Sequence, residues 1–255
     1  MNNKYKIAVI ILGVALTLGS IILLIRPRKP LRLMVTPRGR IAIVLDDWGY
    51  NLNNLSLAGE LKFPLTMSVL PNLNYSRSAA ERLHQQGFEV ILHLPLEPRE
   101  QYRMEKNTIL TGYSEEQIRN IVALDLKSIA YARGVSNHMG SRATADPRVM
   151  GVILRELKKR QLYFLDSFVS GKSVCSGLAG KIGLGFARRD VFIDNKLDKE
   201  CIRGQIYRLK NKARAKGYAI GIGHDRKATL EVLKEMVPRL EREGYKFVFV
   251  SELVK

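Results

Sequence analysis

Short apolar runs recur along the chain, each bounded by polar or glycine-containing stretches and separated by longer segments with helical spacing of their apolar residues. The sharpest is Ile41-Ala42-Ile43-Val44-Leu45, which runs directly into Asp46-Asp47-Trp48-Gly49. Apolar residues at consecutive positions, instead of alternating ones, mark a strand buried on both faces, as in parallel sheets. The same pattern predicts strands at 41–45, 65–70, 89–94, 134–138, 162–166, 191–194, 218–223 and 247–250. Helices are predicted at 76–86, 115–133, 148–160, 202–216 and 229–243, and several meet a glycine where a left-handed cap is favourable. Strand–helix units of this length imply parallel pairing through right-handed crossovers. The expected class is therefore α/β, a barrel or an open doubly wound sheet, and roughly seven or eight strands favour the barrel.

Ahead of these units the pattern changes. Residues 7–25 contain no charged side chain and are flanked by Lys4 and Lys6 before and by Arg26, Arg28 and Lys29 after. At about 1.5 Å per residue, a helix of this run nearly crosses the hydrocarbon core of a bilayer. The expectation is an N-terminal transmembrane helix over 1–25, an uncleaved anchor in preference to a cleaved signal. A basic, proline-containing linker follows at 26–39, and a domain at 40–255. The flanking charges favour a cytoplasmic domain by the positive-inside bias. Short basic amino-terminal tails nevertheless commonly stay inside while the remainder is exported.

Composition narrows the class only slightly. A hydrophobic fraction of 46% and a charged fraction of 26% are those of a globular protein. The formal net charge of +18, from 42 Lys and Arg against 24 Asp and Glu, is unusual and implies an anionic neighbour or a basic solvated surface. Specific nucleic-acid binding is not expected, since no helix-turn-helix, zinc-finger or aromatic RNA-binding signature is present. On the helix at 202–216, Ile202, Ile206, Leu209 and Ala213 form one stripe, and most of the basic residues fall off it. Cys175 and Cys201 are too few for a disulfide framework or a thiolate metal site.

The candidate chemistry sits at strand ends. Of four histidines, three fall where predicted strands finish: His93 after Glu89-Val90-Ile91-Leu92, His138 within Asn137-His138-Met139-Gly140, and His224 after Ile220-Gly221-Ile222-Gly223. Asp46 and Asp47 occupy the same topological position on another strand. In parallel α/β folds ligands bind at the carboxyl ends of strands. Histidine and carboxylate together are what a borderline divalent cation such as zinc prefers. His84, in mid-helix, is read as a surface residue.

Six segments follow one another in order: Leu-Asp-Asp-Trp-Gly, His-Leu-Pro-Leu-Glu-Pro, Asn-His-Met-Gly-Ser-Arg, Phe-Leu-Asp-Ser, Asp-Val-Phe-Ile-Asp-Asn and Ile-Gly-His-Asp. Together they resemble the divergent polysaccharide deacetylase family, a branch of the metal-dependent carbohydrate esterases with the NodB-like fold. The resemblance implies a distorted (β/α) barrel of about seven strands with the site at the carboxyl ends of the strands, Asp46 as general base, Asp47 and His93 as metal ligands, and His224 as the acid that protonates the leaving amine. The better-known deacetylases carry a second metal histidine four residues after the first, where this chain has Glu97. His138 is the choice for the remaining ligand, with Glu97 as its substitute. Arg142 is a candidate for orienting Asp46 or contacting substrate, and Asp166 for lining the site. Asp225 is a candidate for keeping His224 charged, or for capping the following helix. The implied cofactor is one divalent ion, zinc by its donor set, and the implied partner is an acetylated envelope polysaccharide. That substrate places the domain, exported and anchored, on the periplasmic or extracellular side. The rival expectation is a non-catalytic module that keeps the fold and binds glycan or an envelope partner.

Overall fold

Strand β1 (Gly39–Trp48) has both faces covered, as its unbroken apolar run requires. Ile41, Ile43 and Leu45 pack outward into the helix–sheet core, while Ala42 and Val44 join Ile91, Leu165, Ile220, Ile222 and Val250 in a second cluster on the other face. The protein is described from a computed structural model covering residues 2, 3, 7 and 37–255, of which 37–255 form one unit. After β1 come α1 (Leu55–Gly59), β2 (Thr66–Val69), α2 (Ser76–Gln85), β3 (Glu89–Leu96), α3 (Glu115–Ser128), β4 (Gly134–Met139), α4 (Pro147–Lys159) and β5 (Tyr163–Asp166). The chain continues through α5 (Cys175–Ile182), β6 (Phe186–Arg188), β7 (Val191–Phe192), α6 (Lys199–Lys216), β8 (Tyr218–His224), α7 (Lys227–Arg242) and β9 (Tyr245–Phe247).

The sheet order is β6-β5-β4-β3-β2-β1-β8-β7, with every pair parallel, and β9 pairs with the start of β1. The expected barrel of about seven strands is thus corrected to a curled parallel half-barrel of eight strands in series, with a ninth beside β1. It stays open for a local reason. Parallel neighbours need a crossover of about a dozen residues, and β6 and β7 are joined by Arg189 and Asp190 alone. These two residues instead donate one backbone hydrogen bond to each side of the gap, Arg189 N to Asp166 O (3.0 Å) and Asp190 N to Ile220 O (2.8 Å).

Several predicted boundaries move. The strand expected at 247–250 is β9 followed by a 3₁₀ turn at Val250–Glu252. Helix α3 stops at Ser128, short of Arg133, because Ile129 turns to an extended conformation (ψ 99°). Helices α1 and α5 and strand β6 have no counterpart among the elements expected from sequence. The stripe on α6 is the buried one: Ile202, Ile206, Leu209 and Ala213 face the core. Cys175 and Cys201 are both free thiols. Among the described residues no helix is long and apolar enough to cross a membrane; the span expected within 1–25 and most of the linker lie outside them.

Gly134, at the start of β4, lies under the Tyr163 ring, so that a Cβ there would sit 2.5–2.6 Å from three ring atoms. That ring is held in place by its hydroxyl, which donates to buried Glu89 at 3.0 Å. Gly134→Ala is expected to destabilise the domain by about 1–3 kcal/mol, the usual cost of overpacking, measured as a lowered urea midpoint with unchanged m.

Candidate active site

Strands β1, β3, β4 and β8 bring their carboxyl ends to one cleft of about 240 Å3, lined among others by Asp46, Asp47, His93, His138, Arg189 and His224. Neighbouring residues of a strand normally point to opposite faces, so Asp47 should follow Leu45 outward while Asp46 points in. A bulge prevents this. Leu45 pairs with Met67 and Trp48 with Val69, leaving Asp46 and Asp47 opposite the single residue Ser68. Asp47 takes up the extra length in a left-handed conformation, φ +68°. Met139 (φ +51°) and Phe168 (φ +49°), just at or past the ends of β4 and β5, are likewise left-handed. Backbone strain of this kind collects at functional sites.

Asp47 Oδ1 lies 3.4 Å from His93 Nε2 and 3.2 Å from His138 Nδ1, and these two nitrogens are 3.2 Å apart. Four-coordinate zinc with bonds of 2.0–2.1 Å spaces its ligands by about 3.3–3.4 Å. The three atoms therefore form the face of a tetrahedron of the right size for such an ion. The far nitrogen of the His93 ring, Nδ1, is within hydrogen-bond distance of Ser136 Oγ (2.8 Å), which in turn meets Ser68 Oγ (2.7 Å). This chain of hydroxyls fixes the ring with Nε2 toward Asp47, the usual support for a metal-binding histidine. Asp47 Oδ1 is buried with no hydrogen-bond partner, which fits a ligand atom waiting on a cation. Burial opposes ionisation of Asp47, but the His138 and His93 imidazoles outweigh it and hold the carboxyl well below the usual range.

Asp46 is buried beside this triangle, Oδ2 3.7 Å from His93 Nε2, and its Oδ1 also lacks a partner. Burial pushes its carboxyl above the ordinary value, against the pull of His93. Asp46 and His224 are register partners on β1 and β8. His224 Nε2 points to Asp47 Oδ2 at 3.8 Å, while Nδ1 donates to Asp194 Oδ1 at 2.8 Å. Asp194 is fully buried, and its other oxygen accepts from the His224 backbone N–H (2.9 Å) and the Thr229 hydroxyl (2.7 Å). Burial alone would lower the His224 imidazole; Asp194, with Asp47 and Asp46 behind it, raises it above its usual value.

The surrounding candidates fall elsewhere. Glu97 accepts from the Thr111 N–H (2.5 Å) and hydroxyl (2.6 Å) and pairs with Arg142 at 3.2 Å, and neither Glu97 nor Arg142 lines the cleft. Asp166 accepts from the Phe168 N–H and the Ser173 hydroxyl, both at 2.7 Å, and shapes the loop after β5. Asp225 accepts from Asn54 at 2.8 Å, and burial raises its carboxyl to about 6; the imidazole contact expected of it is made by Asp194. The sequence reading gave no role to Asp194, Ser68, Ser136 or Arg189, although Asp194 stands inside the Asp-Val-Phe-Ile-Asp-Asn segment. Glu97→Gln is expected to leave bound metal at the wild-type ratio, measured by mass spectrometry of the purified protein. A loss would put Glu97 back among the ligands.

A profile of the divergent polysaccharide deacetylase family matches residues 43–254. The chain belongs to this family. It is 35% identical over 202 residues to YibQ of Escherichia coli K12, a match that covers 79% of this chain and 63% of that protein. Its fold superposes on that of ATU2773 from Agrobacterium tumefaciens C58 with a TM-score of 0.81 at 25% identity, covering 90% and 92% of the two chains. The peptidoglycan deacetylase PdaC from Bacillus subtilis shares the NodB-like α/β fold at a TM-score of 0.50 and 18% identity, over 84% of this chain and 89% of that one.

Proposed function

We propose that this member of the deacetylase family is a metal-dependent hydrolase that removes N-acetyl or O-acetyl groups from an envelope polysaccharide. The reading rests on one arrangement: an Asp47–His93–His138 triangle sized for a divalent ion, with a buried carboxylate on one side and an aspartate-bound imidazole on the other. A divalent ion held there, zinc by its donor set, supplies a lowered pKa to a water ligand and a Lewis-acid contact to a carbonyl oxygen. Asp46 acts as general base, and burial brings its basicity closer to neutral pH, where proton transfer is most effective. His224 gives its Nε2 proton to the departing amine or alkoxide, and Asp194 keeps that imidazole charged and oriented.

A cleft of about 240 Å3 is below the range of about 300–1,000 Å3 for drug-sized ligands. It suits an acetyl group and part of its sugar, with the remaining polymer lying across the mouth. Exposed apolar side chains there support a polymer: Tyr50, Tyr75, Tyr102, Met104, Val169 and Leu197 all stand on loops that follow strand ends. The substrate class, together with the apolar run at 7–25, supports a tethered domain on the exported side of the membrane. Acetate release from acetylated peptidoglycan and chitin oligosaccharides, followed before and after chelation and zinc add-back, tests the reading. Release that returns with metal supports it; glycan binding without release would make the protein a binding module.

A further inference from the structure

Basic residues outnumber acidic ones at the amino-terminal pole of the sheet, although Glu60, Glu241 and Glu243 also lie there. In a parallel α/β unit every crossover helix ends at the amino-terminal side of the sheet, opposite the site. Last helical turns there carry Lys158 and Lys159 on α4, Lys181 on α5, Arg214 and Lys216 on α6 and Arg242 on α7. Basic residues complement helix dipoles at such positions, which accounts for these in part. It does not account for Arg38, Arg133 and Lys246, which precede or occupy strand starts at the same pole. These three and Arg160 are exposed, and none is in an ion pair among the described residues. A cleft of about 760 Å3 opens at this pole between Arg133, Lys158 and Arg160, far from the titratable groups of the site. At the catalytic pole the balance differs: Asp46, Asp47, Glu97, Glu100, Glu105 and Asp225 offset the basic residues of the same loops.

The chain also enters at the basic pole, since β1 begins at Gly39. The sequence just before it, 26–36, adds Arg26, Arg28, Lys29 and Arg32 with no acidic residue, and follows the apolar run 7–25. We propose that the basic pole is a docking surface for anionic phospholipid headgroups, which holds the catalytic cleft on the side away from the bilayer. A broad patch around the point of chain entry suits a planar anionic surface; a single acidic polymer strand would call for a groove lined with stacking groups. Attraction of this kind acts within about one Debye length, roughly 8 Å at physiological salt. The inference rests on the charge distribution and is independent of the hydrolase reading.

The test uses the full chain on a Cys201→Ser background, with a fluorophore at Lys181→Cys on the basic pole or at Lys172→Cys beyond β5 on the other. Each is mixed with phosphatidylcholine vesicles, with and without phosphatidylglycerol, that carry a headgroup quencher. The Lys181→Cys probe is expected to be quenched about fivefold more when phosphatidylglycerol is present, the factor for one basic side chain at an anionic surface. The difference should vanish at about 1 M salt, where the Debye length is about 3 Å, and the Lys172→Cys probe should stay unquenched. Replacing Arg133, Arg160 and Lys246 by Gln should reduce quenching at position 181 while bound metal is retained. Equal quenching at both positions, indifference to phosphatidylglycerol, or full quenching in the triple variant would overturn the proposal.

Discussion

Asp194→Asn is expected to lower kcat by about 10²–10⁴-fold, the range for a positioned acid or base, while metal content and KM stay near wild type. Asn keeps the size of the side chain and retains an oxygen for the His224 backbone and Thr229. It removes the buried negative charge that raises the His224 imidazole. The sign of the pH effect follows. His224 must be protonated to act as acid, so its pKa sets the alkaline limb of the kcat profile. In the wild type that limb is expected above the ordinary histidine value, and in Asp194→Asn it should move to lower pH. The acid limb, set by Asp46, should not move. The same shift has a stability side. A histidine with a raised folded pKa contributes stability that is complete below about 6.5, and that contribution is lost as pH rises through the folded value. An unchanged alkaline limb in the variant would remove Asp194 from the proton-transfer machinery and leave it a packing residue.

The second large effect concerns the ion. Metal supplied at about 100 times its Kd should stabilise the folded chain by about 2.7 kcal/mol. For a domain of this size that is a rise in melting temperature of about 5–10 °C. Asp47→Ala, His93→Ala and His138→Ala should each abolish the rise and the acetate release together, because the three atoms lie 3.2–3.4 Å apart and, among the described residues, no fourth side chain joins their cluster. His138→Ala is the most informative. In the proposed ligand set it takes the place left by the glutamate that stands four residues after His93, and Glu97 is committed to Thr111 and Arg142. A melting shift that survives in His138→Ala but disappears in His93→Ala would show that the site closes with two protein ligands.

Much of this site was legible in the sequence because its residues stand at the ends of strands with strong signals. Unbroken apolar runs located β1, β3 and β8, and parallel topology then placed Asp46, His93 and His224 at one end of the sheet. Local strength failed elsewhere. Helix α5 reads Cys-Ser-Gly-Leu-Ala-Gly-Lys-Ile, and its two glycines and small side chains leave no helical signal that propensity can detect. Strand β6 has three residues, too few for a period. The contact from Asp194 to His224 depends on β7 lying beside β8, and Asp225, adjacent in sequence to His224, was the natural but different choice. The sharing of one cleft by Asp46 and Asp47 needed a bulge whose only sequence trace is the pair of carboxylates itself.

The central strand also dictates an order of assembly. On one side β1 meets β2, a near neighbour in the chain, but Arg40 pairs with Tyr218 and Gly39 with Tyr245. Contacts of such long sequence separation make folding slow, because the loop between partners must close before pairing returns any energy. Asp47, His93 and His138 leave the ribosome well before β8 does, so a growing chain holds every candidate ligand before it holds His224. A chain interrupted after residue 139 would have the three candidate ligands and the β1-β2-β3-β4 register, but not the strand that sets His224 beside Asp46. Asp46 and the imidazole proposed as its acid partner therefore meet only in a late step, when β8 closes beside β1.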